Sequence, residues 1–170
     1  MRPKPMHVVI DTNVILDMFL YSDPRACDLI AALNSGELQW LATCDMKEEL
    51  ARVLKYEHIQ KRLMQVGAGA VVDAQASLAD FADAQGLLIV AHMDAQATYV
   101  EAASRASYVC KDVDDQKFID LAQAHQALLI SKDKAVLSMK NRMARVGVRV
   151  MSVYQEMSTH PSGQSYCMTT

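Results

Sequence analysis

Acidic residues recur just after short apolar runs of this chain, or at the start of the helical segment that follows such a run. The members of this set are Asp11 after HVVI, Glu48 and Glu49 after LQWLAT, Asp112, Asp114 and Asp115 at a long connection behind LLIVA, and Asp133 after LLIS. If the runs are strands of one parallel sheet, their carboxyl ends deliver these carboxylates to a common edge. Carboxylates without histidine or cysteine neighbours suit a hard cation, Mg²⁺ or Mn²⁺. One or two such ions are the usual apparatus for hydrolysing phosphodiesters, because they activate water and neutralise phosphate charge.

Each of these acids also has a plainer interpretation as a local structural residue. An aspartate after a strand often caps the next helix, and this applies equally to Asp11 and Asp115. Glu48 fits a capping box with Asp45. Glu49 has no capping role, and its plainer interpretation is an exposed glutamate on a helix. The remaining alternatives are loop or cap roles for Asp112 and Asp114, a turn at Asp133, and a solvated or supporting position for Asp120. The recurrence after four consecutive runs favours a shared site over separate caps.

The elements that would position these acids are short strands alternating with helices. Five continuous apolar runs predict strands at HVVI (7–10), LQWLAT (38–43), LLIVA (87–91), LLIS (128–131) and VRVMS (148–152). Runs without polar alternation are typical of strands covered on both faces, as in a parallel sheet. The fold class expected is therefore α/β, a three-layer α/β/α sandwich around a central, mainly parallel five-stranded sheet.

Helices are predicted between these runs from capping residues and apolar spacing. The predicted ranges are 24–34, 46–55, 57–66, 70–85, 115–126 and 134–145, with a further helix at 95–105 as one option for the ambiguous stretch 93–111. The polar segment 158–170 predicts a disordered tail, so a single domain is expected over 1–157.

The composition indicates a globular chain without a membrane span. The chain has 170 residues, 51% of them hydrophobic, and a net charge of −3. The four cysteines show no zinc-like spacing, and no run approaches about 18 uncharged apolar residues. A cytoplasmic protein is expected.

Four local patterns resemble the PIN-domain nucleases, and within them a bacterial group described as toxins of toxin–antitoxin pairs. The patterns are VVIDTNVIL (8–16), EELARVL (48–54), KDVDDQKFIDLA (111–122) and LLISKDKAVL (128–137), and VRVMSVYQEM (148–157) is similar to the closing strand and short helix. The resemblance implies catalytic metal ligands at Asp11, Glu49, Asp115 and Asp133. It implies supporting roles for Asn13 and Ser131, which would orient these acids or a metal-bound water.

The implied activity is Mg²⁺- or Mn²⁺-dependent endonuclease cleavage of RNA, with an antitoxin protein as the implied partner. One departure from the family pattern lies next to a presumed ligand: Lys132 stands where many relatives have a small residue, often glycine. A lysine there can contact phosphate or bias metal occupancy.

A basic segment follows the fourth predicted strand. Between residues 132 and 150 there are six basic residues and one acid, a local charge of +5, and the basic residues are Lys132, Lys134, Lys140, Arg142, Arg145 and Arg149. This segment can follow an RNA backbone, and a solvated helix face is the equal alternative.

Two other function classes remain as alternatives. A haloacid-dehalogenase-like phosphatase needs a second aspartate two residues after the first, but Asn13 occupies that position. A non-catalytic PIN-like protein would use the domain for interactions or RNA binding without holding a metal. The Ala/Val-rich face of the segments 57–66 and 70–85 suggests a homodimer interface or an antitoxin seat, with core packing as the simpler explanation.

Overall fold

A computed structural model describes residues 4–67 and 78–155 of the chain. The strands are β1 (Met6–Ile10), β2 (Leu38–Ala42), β3 (Thr98–Tyr99), β4 (Leu128–Ile130) and β5 (Val150–Met151). The helices are α1 (Thr12–Phe19), α2 (Cys27–Ser35), α3 (Cys44–Val53), α4 (Glu57–Gly67), α5 (Leu78–Gln96), α6 (Gln116–Ala124), α7 (Lys134–Leu137) and α8 (Lys140–Ala144), and a 3-10 turn spans Pro24–Ala26.

The sheet is built around β1, which pairs in parallel with β2 on one side and β4 on the other. The strand order is β3-β2-β1-β4-β5, and the pairing of β4 with β5 is also parallel. Val8 lies opposite Trp40 in β2 and Leu128 in β4, and these three side chains are buried. Continuous apolar strands are therefore explained by burial on both faces. The predicted α/β class and mainly parallel sheet are confirmed.

The chain divides into two compact units. The first takes in Met1–Leu41 and Ala103–Thr170, and the second is Ala42–Ala102. The first contains β1, β4 and β5 with α1, α2, α6, α7 and α8. In the second, α5 packs against α3 and α4. The expectation of one domain over 1–157 stays a prediction, and the predicted tail 158–170 lies outside the described residues.

One predicted strand is wrong. The run LLIVA (87–91) lies within α5, a helix of 19 residues. Its burial follows a helical spacing, since Ala82, Gly86, Ile89 and Met93 are buried whereas Leu87 is 71% exposed. A short apolar run does not distinguish a strand from a helix segment by itself, and here the flanking alanine, aspartate and glutamine residues extend the helix.

The fifth strand is instead β3, which directly follows α5. The amide of Val100 donates to the carbonyl of Ala42, at 2.9 Å. The optional helix at 95–105 is not formed, because α5 ends at Gln96 and Thr98, Tyr99 and Val100 favour extended backbone. The predicted helix 70–85 partly falls outside the described residues, and from Leu78 onward it belongs to α5.

Three other helix predictions need correction. Helix α1, which was not predicted, begins directly after Asp11 and buries Val14, Ile15 and Leu16. The capping box of Asp45 and Glu48 is wrong, since α3 already begins at Cys44 after Thr43. The predicted helix 134–145 is split into α7 and α8. At the break the Ser138 hydroxyl donates to the carbonyl of Ala135, at 2.6 Å, and side-chain bonds of this kind favour helix ends.

Candidate functional site

Asp11 ends β1 and begins α1, and its carboxylate is buried. Its amide donates to the carbonyl of Ile130 at 3.0 Å, which keeps the backbone in the sheet up to this residue. Its side chain then caps α1 by accepting from the amide of Asn13 at 3.4 Å. The residue is only 2% exposed. A buried carboxylate costs free energy unless donors or a cation compensate its charge, so the position suits a cation ligand as well as a cap.

Ser131 links Asp11 to the connection that follows β4. Its hydroxyl donates to the second carboxylate oxygen of Asp11 at 2.5 Å and accepts from the amide of Asp133 at 3.0 Å. Ser131 is fully buried, so its rotamer is fixed by the surrounding chain. Two strands that are 120 residues apart in sequence thus place Asp11 and Asp133 around one hydroxyl.

Asp133 resembles Asp11 in its local structure. It caps α7 by accepting from the amide of Ala135 at 2.6 Å, and it is half-buried. Each residue uses one carboxylate oxygen for its cap, so the capping and ligand interpretations are compatible for both. Asn13, which was predicted to support these acids, is exposed and contributes its backbone amide to Asp11.

Asp115 stands immediately before α6, so its position relative to the sheet depends on how this helix packs. Helix α6 packs against β1 and β4, and at its far end the carbonyl oxygen of His125 lies 3.4 Å from Nδ1 of His7, near the start of β1. The helix has nine residues and is about 14 Å long, close to the length of five strand residues, about 16 Å. If α6 runs antiparallel to β1, these lengths put its start near the carboxyl end of β1. Asp115 makes no side-chain cap bond to α6.

The segment before Asp115 is held by Gln116, which the sequence analysis did not single out. Its side-chain oxygen accepts from the amide of Cys110 at 2.6 Å, and its nitrogen donates to the carbonyl of Tyr108 at 3.2 Å and to Asp120 at 2.6 Å. Asp120 in turn accepts from the amide of Ala106 at 2.8 Å. The only sequence signal was two polar side chains four residues apart on an otherwise apolar helix face.

Asp112 and Asp114 form a turn and are exposed. The amide of Asp114 donates to the carboxylate of Asp112 at 2.9 Å, which agrees with the loop interpretation of both residues. Residues 111–114 line an open cleft together with Ala135 of α7. The cleft lies between the loop before Asp115 and the helix that follows Asp133.

Glu49 lies on α3, in the second unit, and is half-buried, whereas its neighbour Glu48 is exposed. Among residues 4–67 and 78–155, no group of three or more histidine, cysteine, aspartate or glutamate side chains is close enough to hold a metal as it stands. The candidate ligands of the first unit, Asp11, Asp115 and Asp133, offer carboxylate oxygens as donors. This set has the chemistry that Mg²⁺ and Mn²⁺ prefer.

Lys132 lies between Ser131 and Asp133, and its ammonium group forms ion pairs away from them. It pairs with Asp17 of α1 and, at 3.1 Å, with Asp23, which caps the 3-10 turn. Arg25 also binds Asp23 through two nitrogens, the shorter contact being 2.7 Å. Hydrogen bonds from Arg25, assisted by Lys132, hold the pKa of Asp23 well below its ordinary value. Partial burial lowers the pKa of Lys132, but the hydrogen bonds and charges of Asp17 and Asp23 have the larger combined effect. The pKa of Lys132 is therefore raised above its ordinary value.

The other basic residues predicted to contact RNA are exposed. They are Lys134 on α7, Lys140 and Arg142 on α8, and Arg145 after α8, with Arg149 before β5. Lys132 differs from them, because its charge is compensated by two carboxylates.

Within residues 4–67 and 78–155, none of the helices combines the length and the apolar character that a membrane span requires.

A comparison with protein families gives one match, to the model described as PIN domain, over residues 7–135. The matched range begins in β1 and ends just after Asp133, so it includes all four predicted ligands. No curated protein gives a significant match to the chain.

Proposed function

The chain belongs to the PIN domain family, whose members are generally nucleases, and from this premise we propose that it is a metal-dependent endoribonuclease. The observation that carries the proposal is the bridge made by Ser131 between the carboxylate of Asp11 and the backbone of Asp133. Side chains that bind metals are usually oriented by hydrogen bonds from neighbouring groups. The buried Ser131 hydroxyl is such a group, because it orients the Asp11 carboxylate and also binds the Asp133 amide.

In this proposal Asp11, Asp115 and Asp133 of the first unit hold the ion, and the ligand role of Glu49 stays a prediction from the sequence resemblance. Mg²⁺ or Mn²⁺, as one ion or two, supplies an activated water and neutralises charge on the scissile phosphate when bound. Ser131 keeps Asp11 in one rotamer, and Gln116 holds the segment that precedes Asp115. The exposed basic residues of α7, α8 and the following loop attract the RNA backbone.

The test is a cleavage assay with a mixed RNA substrate in Mg²⁺, Mn²⁺ or EDTA. We expect cutting by the wild type only with metal, and a loss of at least about a hundredfold in Asp11→Asn, which keeps the shape of the side chain but removes a ligand charge. Asp45→Asn is the matched control, because Asp45 is an exposed acid in the first turn of α3. Equal cutting by wild type and Asp11→Asn would contradict the metal-ligand scheme.

Two further substrates separate the alternatives. Hydrolysis of a small phosphate ester with no RNA cleavage would favour a phosphatase. Calorimetric titration with Mn²⁺ addresses the non-catalytic alternative, which predicts no binding event that disappears in Asp115→Asn. A single-stranded DNA of matched sequence tests whether the 2′-hydroxyl of the substrate is required.

The toxin role is a finer proposal, supported by the sequence resemblance alone. It predicts that expression of the chain arrests growth and that Asp11→Asn abolishes the arrest at equal protein level. The proposed partners, an antitoxin or a second copy of the chain, are tested by co-purification and by the solution mass. The face that suggested them lies on segments 57–66 and 70–85, and residues 70–77 of it lie outside the described residues.

A further inference from the structure

Lys132 joins two segments that carry candidate ligands. Its backbone lies in the connection from β4 to α7, between Ser131 and Asp133. Its ammonium group binds Asp17, on the helix that Asp11 begins, and Asp23, on the turn that follows this helix. The ion pairs therefore tie α1 and the 3-10 turn to the connection that contains Asp133.

We propose that Lys132 is a positioning residue, which sets the placement of Asp133 and Ser131 against Asp11, and that it is not an RNA contact. The effect on metal binding rests on the proposed function. The tether itself does not, because it is formed by contacts within the first unit.

Charge and burial favour the tether over a contact with phosphate. The side chain of Lys132 is 28% exposed, and those of Asp17 and Asp23 are 15% and 14% exposed. Moving the lysine to a phosphate would leave two poorly exposed carboxylates with less compensation, which is unfavourable. Lys134, two residues later, is exposed and offers its charge without such a loss.

The first experiment compares Lys132→Met with wild type in Mn²⁺ affinity, measured by calorimetry, and in RNA cleavage. We expect the Mn²⁺ dissociation constant to rise by about tenfold, as is usual when a residue that supports metal ligands is removed. Lys132→Arg should retain most of the affinity, since an arginine can bridge the same two carboxylates. Lys61→Met is the matched control, because Lys61 forms an exposed ion pair with Glu57 on α4.

The double variant Asp17→Asn, Asp23→Asn separates positioning from RNA contact. It leaves Lys132 in place but removes both of its partners. Positioning predicts weaker Mn²⁺ binding, similar to that of Lys132→Met. An RNA contact predicts unchanged Mn²⁺ affinity and equal or tighter RNA binding, because the lysine is released, and this result would overturn the proposal.

Hydrogen exchange in the metal-free protein tests the tether without any activity. The amides of Asp133 and Ala135 are bonded to Ser131 and Asp133 side chains. We expect both to exchange faster in Lys132→Met and at the wild-type rate in Lys61→Met. Unchanged exchange at both amides would overturn the proposal whatever the cleavage rate. If the wild type neither binds Mn²⁺ nor cuts RNA, the proposed function fails, and exchange still decides whether Lys132 holds this connection.

Discussion

At the scale of single residues, the site depends on side chains that serve two purposes. Asp11 and Asp133 each cap a helix with one oxygen, and Asp11 gives its other oxygen to Ser131. A cap fixes the rotamer of the carboxylate, so it also orients whatever lone pairs remain for a ligand. Capping and the proposed metal binding thus use different lone pairs of the same carboxylates.

The Ser131 hydroxyl should matter for both folding and cleavage. Ser131→Ala removes a buried hydrogen bond to a carboxylate, which costs about 1.5–3 kcal/mol of unfolding free energy. We expect cleavage to fall by about 10- to 100-fold at saturating RNA, because Asp11 loses its fixed orientation. Chemical denaturation and single-turnover cleavage check the two effects. Ser35→Ala is the control, since the Ser35 hydroxyl donates to the carbonyl of Ala32 in an ordinary helix turn.

Acid stability should depend on Asp23. Arg25, and secondarily Lys132, hold its pKa below the ordinary 3.8 in the folded chain. The unfolded chain takes up this proton first, so the stabilisation is present above about pH 4 and is lost as pH falls further. Asp23→Asn should therefore unfold more easily than wild type at pH 6, with the difference narrowing toward about pH 3. Urea midpoints across this range check it, and a constant difference would contradict the assignment.

At the scale of elements, the direction of α6 and the hydrogen bonds of Gln116 place Asp115. Gln116 and Asp120 bind the backbone at Ala106, Tyr108 and Cys110, which leads into the turn before Asp115. An extended segment without regular structure is thereby fastened to a helix that packs on the sheet. These hydrogen bonds restrict the conformations that the loop before Asp115 can adopt.

Removing this fastening should loosen the loop. Gln116→Ala leaves the Cys110 amide and the Asp120 carboxylate without that partner, and we expect the unfolding free energy to fall by about 1–3 kcal/mol. Cleavage should fall further than stability alone explains, since Asp115 is the next residue. Thermal denaturation and cleavage below the transition check it. Gln65→Ala, at an exposed position of α4, should change neither.

Four of the five strand predictions were correct, because a short strand that is buried in a parallel sheet appears in the sequence as a continuous apolar run. The strand predicted at 87–91 was wrong because five consecutive apolar residues fit a strand and a helix equally well. The segment is part of α5, which buries only one side of it. Asp11 was singled out from its position after a strand, but α1 was missed because Thr12 and Asn13 interrupt the apolar pattern. Gln116 and the partners of Lys132 depend on contacts between distant segments, which one sequence does not display.

At the scale of the whole molecule, one segment of the chain is basic although the net charge is negative. The chain carries −3 overall, whereas residues 132–150 carry +5. Exposed side chains at Lys140, Arg142 and Arg145 account for much of this local charge. A local basic surface on an acidic protein attracts a polyanion to one side only.

Salt dependence should reveal how many of these charges bind RNA. The triple variant Lys140→Gln, Arg142→Gln, Arg145→Gln should weaken RNA binding and flatten the slope of log K against log salt by about 2, since each contact to single-stranded RNA contributes about 0.7. Binding measured in the uncleavable Asp11→Asn background at several salt concentrations checks it. An unchanged slope would assign these residues to a solvated face.

The central position of β1 in the sheet has a consequence for the chain during its synthesis. Strand β1 pairs with β4, and Asp11 is joined to Ser131 only after 120 further residues have been made. A nascent chain that stops short of β4 has the first carboxylate but neither Ser131 nor Asp133. The order of translation therefore delays assembly of this edge of the sheet until most of the protein has been made.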